Sequence, residues 1–331
     1  MTAVRVGLVG AGRIGTSHAG FLAHAVPGAE LVAVADPRPG AAEVLAAQVG
    51  GQVWTDVTAM ISSDLDAIVV TASSTAHAEL VIAAAEAGKG VFCEKPMSVT
   101  LAEVARVAAA VERAGVVAQV GFNRRFDRGF AAAHEAVVGG RVGTPQLLRS
   151  VTRDPGLGDP GSVPPWTIFT QTLIHDFDMV CWLAGSEPVE VYASADALIA
   201  PEFKDRGLLD TAVVLVTFAN GARAVAEASF SAAYGYDVRG EVFGSSGMVT
   251  VGDGARSTLQ LSDAQGRHLE TARSDVELLR DAYVGELTHF VDCVRDGATP
   301  CPTVADARRA LAVALACIES HQNHAPASVT L

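Results

Sequence analysis

The sequence predicts an α/β protein: an N-terminal doubly wound parallel sheet, then an α+β domain built on an open sheet of antiparallel type. Three observations carry this expectation. A glycine triad separates a strand pattern from a helix pattern near the start, strand and helix patterns then alternate to about residue 122, and longer strand patterns with a hairpin signal fill most of the remainder. The 331 residues exceed the roughly 100 to 200 of one domain, so two are expected, 1–122 and 123–331.

The first strand and helix lie in "VRVGLVGAGRIGTSHAGFLA", where Gly10, Gly12 and Gly15 complete a G-x-G-x-x-G. The first glycine permits a tight turn, the second a close approach by a pyrophosphate, and the third close packing of helix on strand. With Arg13 and Ile14 these glycines open a helix whose N-terminus favours phosphate. The second strand, "ELVAVAD", ends at Asp36, 21 residues after Gly15, where a carboxylate can accept from both ribose hydroxyls of NAD. Arg38 leaves NADP open as an alternative, because a guanidinium there can pair with a 2′-phosphate. "LDAIVVTA", "AHAELVIAAAEAG", "GVFCEK", "LAEVARVAAAVERAG" and "VVAQVGF" continue the alternation. Cofactor contacts are expected from the loops at the carboxyl ends of these strands: Ala72, Ser73, Ser74 and His77 after one, Glu94 and Lys95 after another. His77 is equally compatible with capping or packing at its helix start. Lys95 in "CEKP" reads as a donor to a substrate hydroxyl because of its position at a strand end, and the following proline restrains the backbone and is a candidate for a cis bond.

Six longer strands follow: "PQLLRSVTR", "PVEVYASADAL", "TAVVLVTFA", "ARAVAEASFSA", "YDVRGEVFG" and "GMVTVG", with Asn220-Gly221 as a hairpin turn. Helices are expected near 171–184, 277–296 and 303–321, and residues 154–166, with four prolines and three glycines, read as irregular. If Phe169–Ala184 is one helix, Gln171, His175, Asp178 and Trp182 share a polar stripe and Leu173, Phe177, Val180 and Ala184 lie opposite. That pattern fits an ordinary amphipathic helix as well as a catalytic face. One face of the sheet is expected to carry this helix, and the other to serve as an oligomer surface.

Half the residues are apolar and 18% are charged, as in a globular protein. The 24 basic and 37 acidic residues give a net charge of -13, which disfavours nucleic acid and anionic membrane as partners. No apolar run reaches the roughly 18 residues of a membrane span, and the start shows no signal-peptide pattern, so a cytoplasmic location is expected. The five cysteines lack paired metal-ligand spacing, so no metal is expected and the thiols read as reduced packing residues.

Taken together, "GAGRIG", "FCEKP", "QVGFNRRFDRGF" and "TLIHDFD" resemble the Gfo/Idh/MocA oxidoreductases, most closely the inositol 2-dehydrogenases, and the likeness extends to "YGYDVRGEVFG" and "YVGELTHFVDCV". The resemblance implies a Rossmann domain, a second domain with a large, mostly antiparallel sheet, a nicotinamide cofactor, a sugar or cyclic polyol substrate, and a homotetramer or homodimer. It implies that Lys95 and His175 flank the reacting hydroxyl, His175 as base and Lys95 as alkoxide stabiliser and proton relay. Histidine suits the first task because its ordinary pKa of about 6.5 lies near neutrality. The aspartate usual four residues before that histidine is Gln171 here, which can hydrogen-bond but cannot take a proton. Arg124, Asp154, Asp178 and Tyr234 complete the implied pocket, with Asp154 where inositol enzymes often carry asparagine. Two other functions remain open: cleavage of a glycoside through transient oxidation with NAD retained, and a binding protein of reduced activity, motivated by Gln171.

Overall fold

The structure, a computed structural model, describes residues 2–252 and 255–331. Its first sheet comprises β1 (Val4–Val9), β2 (Ala29–Ala35), β3 (Gln52–Trp54), β4 (Ala67–Val70), β5 (Gly90–Glu94) and β6 (Ala118–Gly121), all parallel in the order β3-β2-β1-β4-β5-β6. The intervening helices are α1 (Arg13–His24), α2 (Ala41–Val49), α3 (Val57–Ile61), α4 (Ser74–Glu86) and α5 (Leu101–Ala114). Every residue of β4 and β5 is buried, as expected of central parallel strands covered on both faces. α5 begins where Thr100 accepts from the Glu103 N–H at 3.2 Å, and ends at Gly115 in the left-handed region.

The second sheet follows from α6 (Arg128–Val138) and comprises β7 (Pro145–Arg153), then, after α7 (Ile174–Ala184), β8 (Pro188–Asp196), β9 (Thr211–Phe218), β10 (Arg223–Ser229), β11 (Asp237–Gly244) and β12 (Gly247–Val251). β13 (Ala255–Asp263) and β14 (Gly266–Thr271) form a separate hairpin before the short helix α8 (Asp275–Leu278). After α9 (Arg280–Asp296) and α10 (Val304–Asn323), β15 (Ala327–Ser328) adds an edge, giving the order β12-β11-β7-β10-β9-β8-β15. Only the β7–β10 pair of this sheet is parallel among the described strands. The β9–β10 turn contains Asn220 and Gly221, the latter at φ 90°.

The chain divides into two units, Met1–Phe126 with Asp281–Arg308, and Asp127–Arg280 with Arg309–Leu331. This departs from consecutive segments meeting at 122/123. Residues 281–308 join the first unit because α9 turns Leu287, Phe290 and Val291 inward, with Phe290 edge-on to Phe92 of β5 at 5.8 Å.

Two local expectations are corrected. Residues 168–184 do not form one α-helix: Ile168–Thr172 is a π-turn closed by the Leu173 N–H donating to the Ile168 carbonyl at 2.8 Å, and α7 starts only at Ile174. The wider turn shifts Gln171 off the simple 100° stripe. Nor is α7 a surface helix with a wet polar face, since Asp176 and Asp178 are buried along with Phe177, Val180 and Ala184. In the irregular 154–166 segment, Pro160–Ser162 forms one 3-10 turn.

Candidate active site

In unit 1 the strand order reverses between β1 and β4, and their carboxyl-end loops are clipped together. The Thr71 hydroxyl donates to the carbonyls of Gly10 at 2.7 Å and Val9 at 3.1 Å. The glycines have different tasks. A Cβ on Gly15 would fall 1.8 Å from the Gly10 carbonyl oxygen, whereas one on Gly12 would meet nothing within 4 Å. Gly15 is therefore required by packing, and Gly12 keeps backbone open toward space. No side chain caps α1 and its first turn holds no acidic residue. Gly10, Gly12, Arg13, Ile14, Asp36, Arg38, Ala72 and Ser73 line a cavity of about 570 Å³ beside that helix start. These features fit a dinucleotide: an uncapped helix N-terminus and bare glycine backbone for phosphate, and a carboxylate at the end of β2 for ribose.

Asp36 is held below the usual carboxylate range first by the Arg38 side chain, against an opposing effect of burial. Arg38 Nε and Nη2 donate to the two Asp36 oxygens at 3.0 and 3.1 Å, and the Ala11 N–H adds a bond of 2.7 Å. Ala76 lies within the Ala72 to His77 loop expected to contact cofactor, whereas sequence reasoning did not single out Thr71, Pro37, Val57 or Leu80 of this cavity wall. The i, i+4 spacing from Ala76 was the signal available for Leu80 on α4.

Ser74 opens α4, and His77 lies buried one turn on. Its Nδ1 is 2.8 Å from the Pro96 carbonyl oxygen and its Nε2 3.0 Å from that of Ala72. A neutral imidazole has only one N–H to donate; burial, the largest influence, holds this histidine below its ordinary pKa. His77 thus lies between the loop after β4 and the turn after β5, and its single N–H binds the carbonyl of one of them. That turn carries a cis Lys95–Pro96 bond. Burial pushes the Glu94 carboxyl up, but the His18 hydrogen bond and the Lys95 charge outweigh it, and Glu94 is held as a carboxylate. Its Oε1 lies 2.7 Å from His18 Nε2, and its Oε2 accepts from the Lys95 backbone N–H at 3.1 Å. Arg124 belongs to this unit and is buried, and the neighbouring Arg125 pairs with Asp306 at 3.0 Å.

Unit 2 holds the other candidates. Asp176 anchors α7 on β7, accepting from Ser150 at 2.5 Å and Thr152 at 2.7 Å. The helix is thereby fixed with His175 partly exposed and Asp178 buried on either side of that anchor. Gln171 lies in the π-turn just before. Asp154 follows β7, its N–H donating to the Ser229 carbonyl at 2.9 Å and its carbonyl accepting from Ala232 N–H at 2.7 Å. Tyr234 is 52% exposed; its hydroxyl donates to Asp237 at 2.7 Å and accepts from Arg153 at 3.2 Å. All five cysteines are free, four of them buried and Cys301 exposed.

Comparison with known proteins adds context to this geometry. Residues 4–122 match the family model described as an oxidoreductase family with an NAD-binding Rossmann fold, and residues 130–250 match that of the GFO/IDH/MocA C-terminal domain. The chain is 38% identical to a myo-inositol 2-dehydrogenase of Thermotoga maritima, covering 96% of each chain. It is 35% identical to a scyllo-inositol 2-dehydrogenase (NAD(+)) of Bacillus subtilis, covering 98% of this chain and 95% of the other. Among solved structures, scyllo-inositol dehydrogenase from Lactobacillus casei with bound cofactor NAD(H) and scyllo-inositol superposes with a TM-score of 0.95 at 26% identity, covering 99% of both chains.

Proposed function

For a chain that belongs to the Gfo/Idh/MocA oxidoreductase family, and is an NAD-dependent dehydrogenase, we propose oxidation of a secondary hydroxyl of inositol or a related sugar or cyclic polyol. The observation that carries the reading is Lys95, set immediately after a buried carboxylate at the carboxyl end of β5 in the sheet whose β1–β4 crevice fits a dinucleotide. NAD, when bound, supplies the acceptor for the hydride that leaves the substrate carbon. His175 is the base that takes the hydroxyl proton, and the Lys95 ammonium stabilises the alkoxide and passes a proton on. Gln171 orients by hydrogen bonding where an acid would also carry charge. Arg124 and Asp178, both buried, and Asp154 are proposed to bind the other hydroxyls. Tyr234 is a weaker candidate, because its hydroxyl proton is already given to Asp237.

Asp36 supports NAD over NADP, and the exposed apolar face of the second sheet supports a homotetramer or homodimer. The test follows NAD and NADP reduction over a panel of inositols, aldoses and glycosides. His175→Ala and Lys95→Ala are each expected to lower kcat by about 10²- to 10⁴-fold, as for loss of a general acid or base. Activity surviving both substitutions overturns these roles, and glycoside cleavage without net NADH overturns the dehydrogenase reading. Gln171 also motivates the second reading, a binding protein of reduced activity. Gln171→Asp is expected to raise turnover of the preferred inositol, whereas binding of cofactor and polyol with no turnover by either form favours the second reading.

A further inference from the structure

Behind Lys95, unit 1 encloses ionisable groups that no step above uses. Glu286 of α9 is 0% exposed, and neither of its carboxyl oxygens has a hydrogen-bond partner among the described residues. His18 of α1 is equally buried; its Nε2 faces Glu94 and its Nδ1 has no partner among the described residues. One ligand-type atom from each of His18, Glu94 and Glu286 lies within 4.8 Å of the other two. Gln119 of β6 ties α9 to the sheet, its Nε2 donating to the Glu286 backbone carbonyl at 2.8 Å.

A metal is the first occupant to consider, and the distances oppose it. Two zinc ligands at about 2.0–2.2 Å from the ion in a tetrahedral site stand roughly 3.3–3.5 Å apart. His18 and Glu94 are 2.7 Å apart, the length of a hydrogen bond. Glu286 lies within 4.8 Å of both groups without a direct hydrogen bond to a described residue, a spacing that one water making two bonds of about 2.8 Å can span. Buried waters characteristically sit among polar atoms that lack other partners.

Charge favours the same arrangement. Two carboxylates this close do not readily ionise together. Glu94 keeps the charge because the His18 ring and the Lys95 N–H bond to it. Burial, reinforced by Glu94 and opposed by Lys95, pushes the Glu286 acid far up, so it keeps the proton. The groups facing Glu286 are Glu94 and Lys95 at the end of β5 and His18 on α1. Cys93 of β5 is a buried thiol beside Glu94, and Tyr283, one turn earlier on α9, lies edge-on to His18 at 5.7 Å.

We propose that Glu286 is a positioning residue for Lys95: a neutral buried acid, joined to Glu94 by one bound water, that holds Glu94 ionised and limits the charge behind Lys95 to a single negative one. Its importance for turnover rests on Lys95 serving the substrate hydroxyl, but its effect on the Lys95 amine does not. The test therefore reads that amine in NAD-free protein, by competitive acetylation with acetic anhydride and mass spectrometry across the pH range. In Glu286→Leu the water loses its donor, Glu94 loses one bond to its charged form and takes up a proton more readily, and the counter-charge behind Lys95 is weakened. Lys95 should then label roughly three- to tenfold faster near pH 7.5, as for a pKa lower by about half to one unit. Glu286→Gln, which keeps a neutral donor, should restore the wild-type rate near that pH. Equal rates in wild type and Glu286→Leu overturn the proposal. If Glu286→Leu does not fold, Glu286→Met takes its place: faster Lys95 labelling than in wild type supports the proposal, and labelling at the wild-type rate overturns it.

Discussion

The Asp36 carboxylate already has a full set of donors. Oδ1 accepts from the Arg38 N–H and Nε, and Oδ2 from the Ala11 N–H and Arg38 Nη2. To accept from ribose it must release Arg38, whose side chain is 64% exposed and so is weakly held by a solvent-screened pair. Arg38→Ala is therefore expected to tighten NAD by up to about fivefold and to weaken NADP, which loses the cation for its 2′-phosphate. Calorimetric titration with each dinucleotide checks this, and unchanged NAD affinity or stronger NADP binding contradicts it. The placement of Asp36 and Lys95 at strand ends was legible in the sequence because a strand pattern and its end are local features. His18 and Glu286 were not. Nothing in a one-dimensional pattern shows that two polar side chains on helices far apart in the chain are both removed from water and face the same carboxylate.

At the level of elements, the glycine loop makes two opposite predictions from one motif. Gly15→Ala places a methyl carbon 1.8 Å from the Gly10 carbonyl, so α1 must move off β1. A loss of several kcal/mol, of the order of severe core overpacking, is expected in denaturant unfolding. Gly12→Ala meets no atom within 4 Å, so stability should stay within about 1 kcal/mol while NAD binding weakens by tenfold or more because the methyl occupies the phosphate approach. Equal effects of the two substitutions on stability would refute this division of labour. The strands were readable for a similar local reason: β9 alternates buried and exposed residues, and β4 is apolar throughout. The π-turn at Ile168–Thr172 was not readable, because an i+5 bond in place of an i+4 bond is chosen by how Asp176 and its neighbours dock on β7, not by local propensity.

At the level of the whole molecule, linear reading placed the second unit as one continuous segment, yet 281–308 belongs with the first. An apolar stripe on α9 predicts burial without naming the surface that receives it. The second sheet poses the related question of what its uncovered face meets. α7 packs on β7 and β10, whereas opposed positions along the strands put Tyr192 beside Leu215, and Leu147 beside Phe243 and Phe243 beside Met248. All five are exposed, Leu215 at 52% and Met248 at 54%. Contiguous exposed apolar side chains on a rigid sheet favour association, and a second copy of the same face supplies a matching surface under two-fold symmetry. Burying one leucine contributes about 1.5–3 kcal/mol, and symmetry applies any change twice. Leu215→Glu should therefore lower the mass measured by light scattering after size exclusion, toward half or a quarter of the wild-type assembly. Because residue 215 points away from the α7-covered side, far-ultraviolet circular dichroism and NAD affinity should stay as in wild type. An unchanged mass would remove this face as the assembly surface, and a monomeric wild-type protein would remove the assembly itself.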